Sequence, residues 1–128
     1  MLDRTSNPSW GVVLDAGDPH RLATFYAELL GWSIQRREPH WVTIGPADGV
    51  GYLGFQGNPD YVRPSWPARD GEQQQMLHLD LKVAALEAAV AEAVQLGATQ
   101  AHYQPQDDVR VMLDPAGHPF CLYLDGIS

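Results

Sequence analysis

The chain has 128 residues, and its 16 acidic against 8 basic side chains give a formal net charge of -8 at pH 7. This length suits one domain with its own hydrophobic core, and the 45% hydrophobic content is typical of a soluble globular protein. Because so acidic a chain repels phosphate backbones and anionic lipid, we predict neither a nucleic acid nor a membrane as partner.

The N-terminus and the cysteine content predict a cytoplasmic protein. Met1–Arg4 has no basic or strongly apolar stretch of the kind that opens a signal peptide. No apolar run approaches the roughly 20 residues that a membrane-spanning helix needs. The single cysteine, Cys121, excludes an internal disulfide framework and a thiolate metal cluster within one chain.

The first half of the chain predicts a strand, a helix and three further strands. Trp10–Ala16 is rich in β-branched and apolar residues, and Asp18 and Pro19 then supply a helix N-cap and a first helical residue. Apolar residues recur at helical spacing as far as Gly31, which is typical of a C-terminal stop. The three predicted strands that follow are Trp32–Arg37, Trp41–Ile44 and Val50–Gln56.

The second half repeats this order. Met76–Val83 alternates apolar and polar residues, which predicts a half-buried strand with Leu77, Leu79, Leu81 and Val83 on one face. Ala84–Leu96 is an alanine-rich amphipathic segment that ends at Gly97, so we expect a second helix there. The remaining predicted strands are Thr99–Tyr103, Val109–Leu113 and Pro119–Leu124.

This duplication predicts one domain over residues 1–128, built from two βαβββ units. The first unit covers about residues 10–56 and the second about residues 76–125. The connecting segment 57–75 is long and contains several prolines and aromatic residues, among them Trp66. It is either a plain linker or a flap that covers a ligand.

Three sequence signatures, taken in order, resemble the vicinal oxygen chelate superfamily, which includes glyoxalase I, the extradiol dioxygenases and the bleomycin-binding proteins. The signatures are Asp18-Pro19 with Phe25-Tyr26 and Leu30-Gly31-Trp32, then His78-Leu-Asp-Leu81, then Asp114-Pro-Ala-Gly-His-Pro-Phe-Cys-Leu122. The chain is most similar to the glyoxalase-like branch. The resemblance implies an α+β fold in which two half-barrel sheets form a cup around a ligand, the helices lie outside, and two copies pair as a homodimer.

Metal-using members of the superfamily take ligands from the first and last strand of each unit. Carried over to this chain, the resemblance places those ligands at Gly11, Leu53, His78 and Cys121. Glycine and leucine cannot coordinate a cation, and of the four only His78 is a residue type that the family uses. We therefore expect no bound cofactor, with a divalent metal as the less favoured alternative.

The candidate catalytic residues are His78, Asp80 and Cys121. An imidazole that titrates near neutral pH could transfer a proton or bind a ligand, or it could be a hydrogen-bonded structural residue. Asp80 shares the strand face of His78, where it either orients the histidine or is a solvated charge. Cys121 is either a small buried apolar residue or, with a base nearby, a nucleophile.

Aromatic residues near the expected mouth and wall of the cup suit a flat or apolar organic ligand, although core packing is a competing explanation. The predicted ligand-binding residues are Trp10, Phe55, Trp66, His78, Cys121 and Tyr123.

Together these features predict a domain that binds a small, aromatic or apolar organic molecule without a metal, either as a sequestering protein or as a metal-independent enzyme. One alternative is a metal-dependent isomerase or lyase of the glyoxalase I type, which requires a metal and a carboxylate base. The other is a non-catalytic domain that serves as a partner-binding surface. Whether the protein is an enzyme stays open at this point.

Overall fold

A computed structural model describes residues 10–124 of the chain. The chain divides into two compact units with the boundary between Tyr61 and Val62, called here unit 1 and unit 2. Unit 1 contains β1 (Gly11–Ala16), α1 (Pro19–Leu30), β2 (Ser33–Glu38), β3 (Trp41–Gly45) and β4 (Tyr52–Gly57). Unit 2 contains β5 (Leu79–Val83), α2 (Leu86–Leu96), β6 (Thr99–Gln100), β7 (Val109–Leu113) and β8 (Pro119–Leu124).

The two units have the same sheet topology. The strand order is β1-β4-β3-β2 in unit 1 and β5-β8-β7-β6 in unit 2. In each sheet the first strand pairs in parallel with the last, and the remaining neighbours are antiparallel. The predicted α+β class and the repeated βαβββ order are therefore confirmed.

Helix α1 begins and ends where its capping residues predict. The Asp18 carboxylate accepts a hydrogen bond from the backbone N–H of Arg21 at 3.1 Å, and Pro19 occupies the first helical position. At the other end Gly31 has a φ of 69°, in the left-handed region that glycine adopts without steric cost, and its N–H donates to the Ala27 carbonyl.

The core of unit 1 lies between α1 and one face of its sheet. The ring of Tyr26 on α1 stacks on Phe55 of β4 with a centroid separation of 5.8 Å, and both side chains are fully buried. The sheet residues that alternate onto this same face are also buried: Leu14, Ala16, Val42, Ile44 and Leu53. The other face of this sheet, which turns away from α1, is called here the helix-distal face of unit 1.

The strand that opens unit 2 is shorter than its sequence pattern predicts. Strand β5 begins at Leu79, while Met76 and Leu77 are 89% and 58% exposed. The prediction that Leu77 belongs to the buried face is therefore wrong. Hydrophobic alternation predicted a longer strand, but the paired register of β5 begins with Leu79 opposite Phe120 on β8.

The strand predicted over Thr99–Tyr103 is reduced to the two residues of β6, and a side chain replaces part of the pairing that would follow. The Gln104 amide accepts from the backbone N–H of Val111 and donates to the Val111 carbonyl, both at 2.8 Å. The Ala101 N–H also donates to the Val111 carbonyl, at 3.0 Å, but Gln104 occupies the Ala101 carbonyl as well as the Val111 N–H, so these two groups do not pair with each other and the strand ends.

The connecting segment is divided between the two units, and its second part packs within unit 2. The backbone N–H of Ser65 donates to the Gln73 carbonyl at 2.8 Å. The Arg63 side chain lies across Gly117 and donates to the Pro115 carbonyl at 3.4 Å. Neither described helix is long and apolar enough to cross a membrane.

Candidate ligand-binding site

The pairing of β5 with β8 places two of the candidate residues side by side. Asp80 is the register partner of Cys121. Phe120 and Leu122, which flank Cys121 on β8, are fully buried, so the alternating Cys121 points to the opposite face of the sheet. That face, called here the helix-distal face of unit 2, carries both the carboxylate and the thiol.

His78 completes a cluster of three polar side chains. It lies one residue before β5, and its Nε2 is 3.2 Å from Oδ1 of Asp80. One nitrogen, one oxygen and one sulfur from the three residues lie within 4.8 Å of one another. The side chains of His78 and Asp80 are 40% and 60% exposed, so the His78–Asp80–Cys121 cluster is accessible to a ligand.

Burial and the neighbouring carboxylate both favour the protonated thiol of Cys121. Partial burial, followed by the negative charge of Asp80 and its hydrogen bond with the thiol, raises the pKa of Cys121 to about 11. At neutral pH the thiol is therefore protonated and donates to Asp80. A nucleophilic cysteine needs a lowered pKa, so the nucleophile interpretation of Cys121 has no support in this environment.

The four-ligand metal site of the superfamily does not fit these residues. Gly11 has no side chain, and the ring of Tyr52 lies so close over it that an added Cβ would be 2.5 Å from Cζ. Leu53 is buried on the face that packs against α1, so it is not the counterpart of Cys121. The expectation that Leu53 occupies a metal-ligand position is therefore wrong. Its neighbours on β4, Tyr52 and Gly54, face the other way, and neither carries an imidazole, carboxylate or thiol.

Three of the predicted aromatic ligand-binding residues retain exposed surface. Trp10 is 60% exposed and lies beside Gly51. Trp66 is half-buried and stacks on Tyr103 in the same unit, with centroids 5.6 Å apart. Tyr123 alternates onto the same face of β8 as Cys121 and is half-buried.

Phe55 is the exception, because it is fully buried in the core of unit 1 and stacks on α1. This placement corrects the expectation that Phe55 lines a ligand site. The half-buried aromatic residues on the helix-distal face of unit 1 are Trp41 and Tyr52, which the predicted set omits. Strand alternation could have added Tyr52, since Tyr52 and Gln56 share a face opposite that of Leu53 and Phe55.

The repeated topology, with a polar cluster on the helix-distal face of unit 2, defines a glyoxalase/bleomycin resistance/dioxygenase type of fold. The sequence profile of the glyoxalase-like domain family matches residues 11–123, which is nearly all of the described chain. The chain belongs to that family, within the vicinal oxygen chelate superfamily.

Solved structures support the same fold. A glyoxalase/bleomycin resistance protein/dioxygenase family enzyme from Burkholderia phytofirmans PsJN is 18% identical, with a TM-score of 0.63 over 89% of this chain and 95% of that one. A glyoxalase-related enzyme from Fulvimarina pelagi is 20% identical, with a TM-score of 0.62 over 91% and 88%. A glyoxalase/bleomycin resistance protein/dioxygenase from Alicyclobacillus acidocaldarius is 16% identical, with a TM-score of 0.60 over 95% and 94%. No curated protein matches the sequence significantly.

Proposed function

We propose that this glyoxalase-like domain binds a small organic molecule, without a resident metal ion, through the His78–Asp80–Cys121 cluster. The observation that carries the proposal is that Asp80 lies beside both an imidazole and a thiol, at an accessible face of the unit 2 sheet. Ligand sites combine a few convergent polar groups with apolar surroundings. Half-buried Tyr123 and buried Val111 supply apolar surface on the same face.

The cluster suits a ligand with a hydroxyl or carbonyl group. The carboxylate of Asp80 accepts hydrogen bonds, while His78 offers a donor or an acceptor according to its tautomer. Cys121 lies beside Asp80 as its register partner and offers a thiol donor to the carboxylate. A neutral ligand therefore gains directional hydrogen bonds, and its apolar part gains burial.

The test is equilibrium titration of the purified protein with a panel of aromatic and polyketide-like compounds, monitored by calorimetry. Saturable binding of at least one compound, weakened by Asp80→Ala and unchanged by Asp108→Ala, is the expected result. Asp108 is an exposed aspartate of the same unit and serves as the matched control. Absence of saturable binding across the panel, together with turnover of a substrate, would refute the binding function.

A metal-dependent isomerase or lyase is the second candidate, and the same cluster is the observation that favours it. An imidazole, a carboxylate and a thiol form a donor set that borderline-soft cations such as zinc accept. Elemental analysis of the purified protein separates the two candidates. Stoichiometric zinc, nickel, manganese or iron that is lost in Asp80→Ala would overturn the metal-free proposal.

The protein's partners and location form a further part of the proposal. Exposed apolar side chains in unit 2, Val62, Met76 and Leu77, support pairing of two copies, since pairing removes such surface from water. We therefore propose a cytoplasmic homodimer with no nucleic-acid partner, in line with the net charge of -8. Light scattering at micromolar concentration tests the dimer, and a monomer mass would contradict it.

A further inference from the structure

The helix-distal face of unit 1 carries two aromatic rings that lie across glycines of the sheet. The Tyr52 ring covers Gly11, where an added Cβ would meet Cζ at 2.5 Å. The indole of Trp41 covers Gly54, where an added Cβ would meet Cη2 at 2.5 Å. Without a Cβ beneath them, both rings can approach the backbone closely.

The strand register places both rings on the same face. Gly11 is the partner of Tyr52 in the β1–β4 pair, and Trp41 is the partner of Gln56 in the β3–β4 pair. Tyr52, Gly54 and Gln56 alternate onto one side of β4, opposite the buried Leu53 and Phe55. Trp41 and Tyr52 therefore lie on one face together with the 45% exposed Val13 of β1, and these three apolar side chains are called here the aromatic floor.

A carboxylate lies in the same row of the sheet as Trp41. Asp15 of β1 is the register partner of Gln56, which in turn is the partner of Trp41. Asn58 donates to Oδ2 of Asp15 at 2.9 Å and holds the carboxylate in place. The floor thus combines two electron-rich ring faces with a negative charge, in a chain whose net charge is -8.

We propose that the aromatic floor of unit 1 recognises a flat aromatic molecule that bears a positive charge. The ring faces of tryptophan and tyrosine attract a cation through their quadrupoles and stack on a planar π system. Asp15 adds charge complementarity at the side of the floor. This inference goes beyond the proposed function: it assigns a second ligand site, within unit 1, and names the chemical class of the ligand for that site.

The probes are N-methylacridinium, a planar cation, and acridine at pH 8, its neutral counterpart with the same ring system. Calorimetric titration of the wild-type protein should show saturable binding of the cation, roughly 2- to 30-fold tighter than that of acridine, as cation–π attraction predicts. Asp15→Asn should reduce this ratio while leaving the affinity for acridine unchanged. Equal affinity for both probes would overturn the proposal.

Two glycine variants test where the probe binds. Gly54→Ala displaces the indole of Trp41, and Gly11→Ala displaces the ring of Tyr52. Each variant removes one stacking surface, so each should weaken N-methylacridinium binding by roughly 2- to 12-fold. Gly17→Ala is the matched control, because an added Cβ there meets nothing within 4 Å. Near-ultraviolet circular dichroism reports the displaced ring, and thermal melting shows that each variant is folded.

The outcomes separate this inference from the proposed function. If both glycine variants are folded and bind the cation with wild-type affinity, the aromatic floor is not the binding surface and the inference is wrong. If the wild-type protein does not bind N-methylacridinium but binds another organic compound in an Asp80-dependent way, the inference fails and the proposed function stands. If the cation binds with the expected dependence on Gly54 and Gly11 but no compound of the panel binds in an Asp80-dependent way, the inference stands and the proposed function fails.

Discussion

The Asp80 carboxylate accepts a hydrogen bond from the Cys121 thiol across the parallel pair of β5 and β8. Two residues 41 positions apart in the sequence are thus brought into contact by strand pairing. Burial makes the largest contribution to the raised pKa of the thiol, and the negative charge and hydrogen bond of Asp80 add to it.

Asp80→Asn should lower the pKa of Cys121 from about 11 toward the ordinary thiol value of 9.0. The substitution removes both the negative charge and the acceptor that favour the protonated form, and leaves only the effect of burial. The rate of iodoacetamide alkylation as a function of pH measures this pKa. Asp108→Asn is the control and should leave the profile unchanged, and an unchanged profile in Asp80→Asn would contradict the assigned cause.

Stability should fall in alkaline solution because of Cys121. The pKa of the thiol is raised in the folded state, so between about pH 9 and pH 11 the unfolded chain has lost the proton that the folded chain still holds. Fewer protons bound in the unfolded state mean that the free energy of unfolding decreases as pH rises through this window. Urea melts of wild type and Cys121→Ala at pH 8 and pH 10.5 measure it, and the alkaline loss should be smaller in the variant. Equal losses would show that Cys121 is not the titrating group.

His78→Ala should weaken ligand binding by about 1–3 kcal/mol, the range expected when a hydrogen-bond partner is lost from a site. The fold should remain intact, because the apolar side of β5 is formed by Leu79 and Leu81 and the imidazole is 40% exposed. The measurements are affinity for a compound from the titration panel and melting temperature on the same sample. His102→Ala, an exposed histidine of unit 2, is the control. A large fall in melting temperature with wild-type affinity would make His78 a structural residue.

Asp114→Ala should destabilise the turn between β7 and β8. The carboxylate is 1% exposed, and its Oδ1 accepts from the backbone N–H groups of Ala116 and His118 at 2.9 and 3.0 Å. Removal of a buried acceptor leaves donors unsatisfied, so the free energy of unfolding should fall by about 1–3 kcal/mol. Denaturant unfolding measures it, and Asp108→Ala should stay within about 0.5 kcal/mol of wild type. A wild-type value for Asp114→Ala would show that the turn does not depend on these hydrogen bonds.

Local signals in the sequence were enough to predict α1 and the β7–β8 region. The N-cap at Asp18 and the left-handed Gly31 act within one helical turn, so their effect depends on neighbouring residues alone. The repeated order of elements, with the motif residues, was also enough to predict the α+β class and the glyoxalase-like family. These features depend on short-range chemistry and on patterns that a single chain displays.

Tertiary structure decided which side chains meet. The face on which Phe55 lies depends on how β4 pairs with β1 and β3, and that pairing buries Phe55 against Tyr26 while it turns Tyr52 and Trp41 to the other side. Likewise, Asp80 meets Cys121 only through the β5–β8 register, which alternation along one strand cannot specify. A shift of one residue in either pairing would reverse these faces, so the candidate site is determined by long-range pairing, whereas the helices and the family are determined by the sequence.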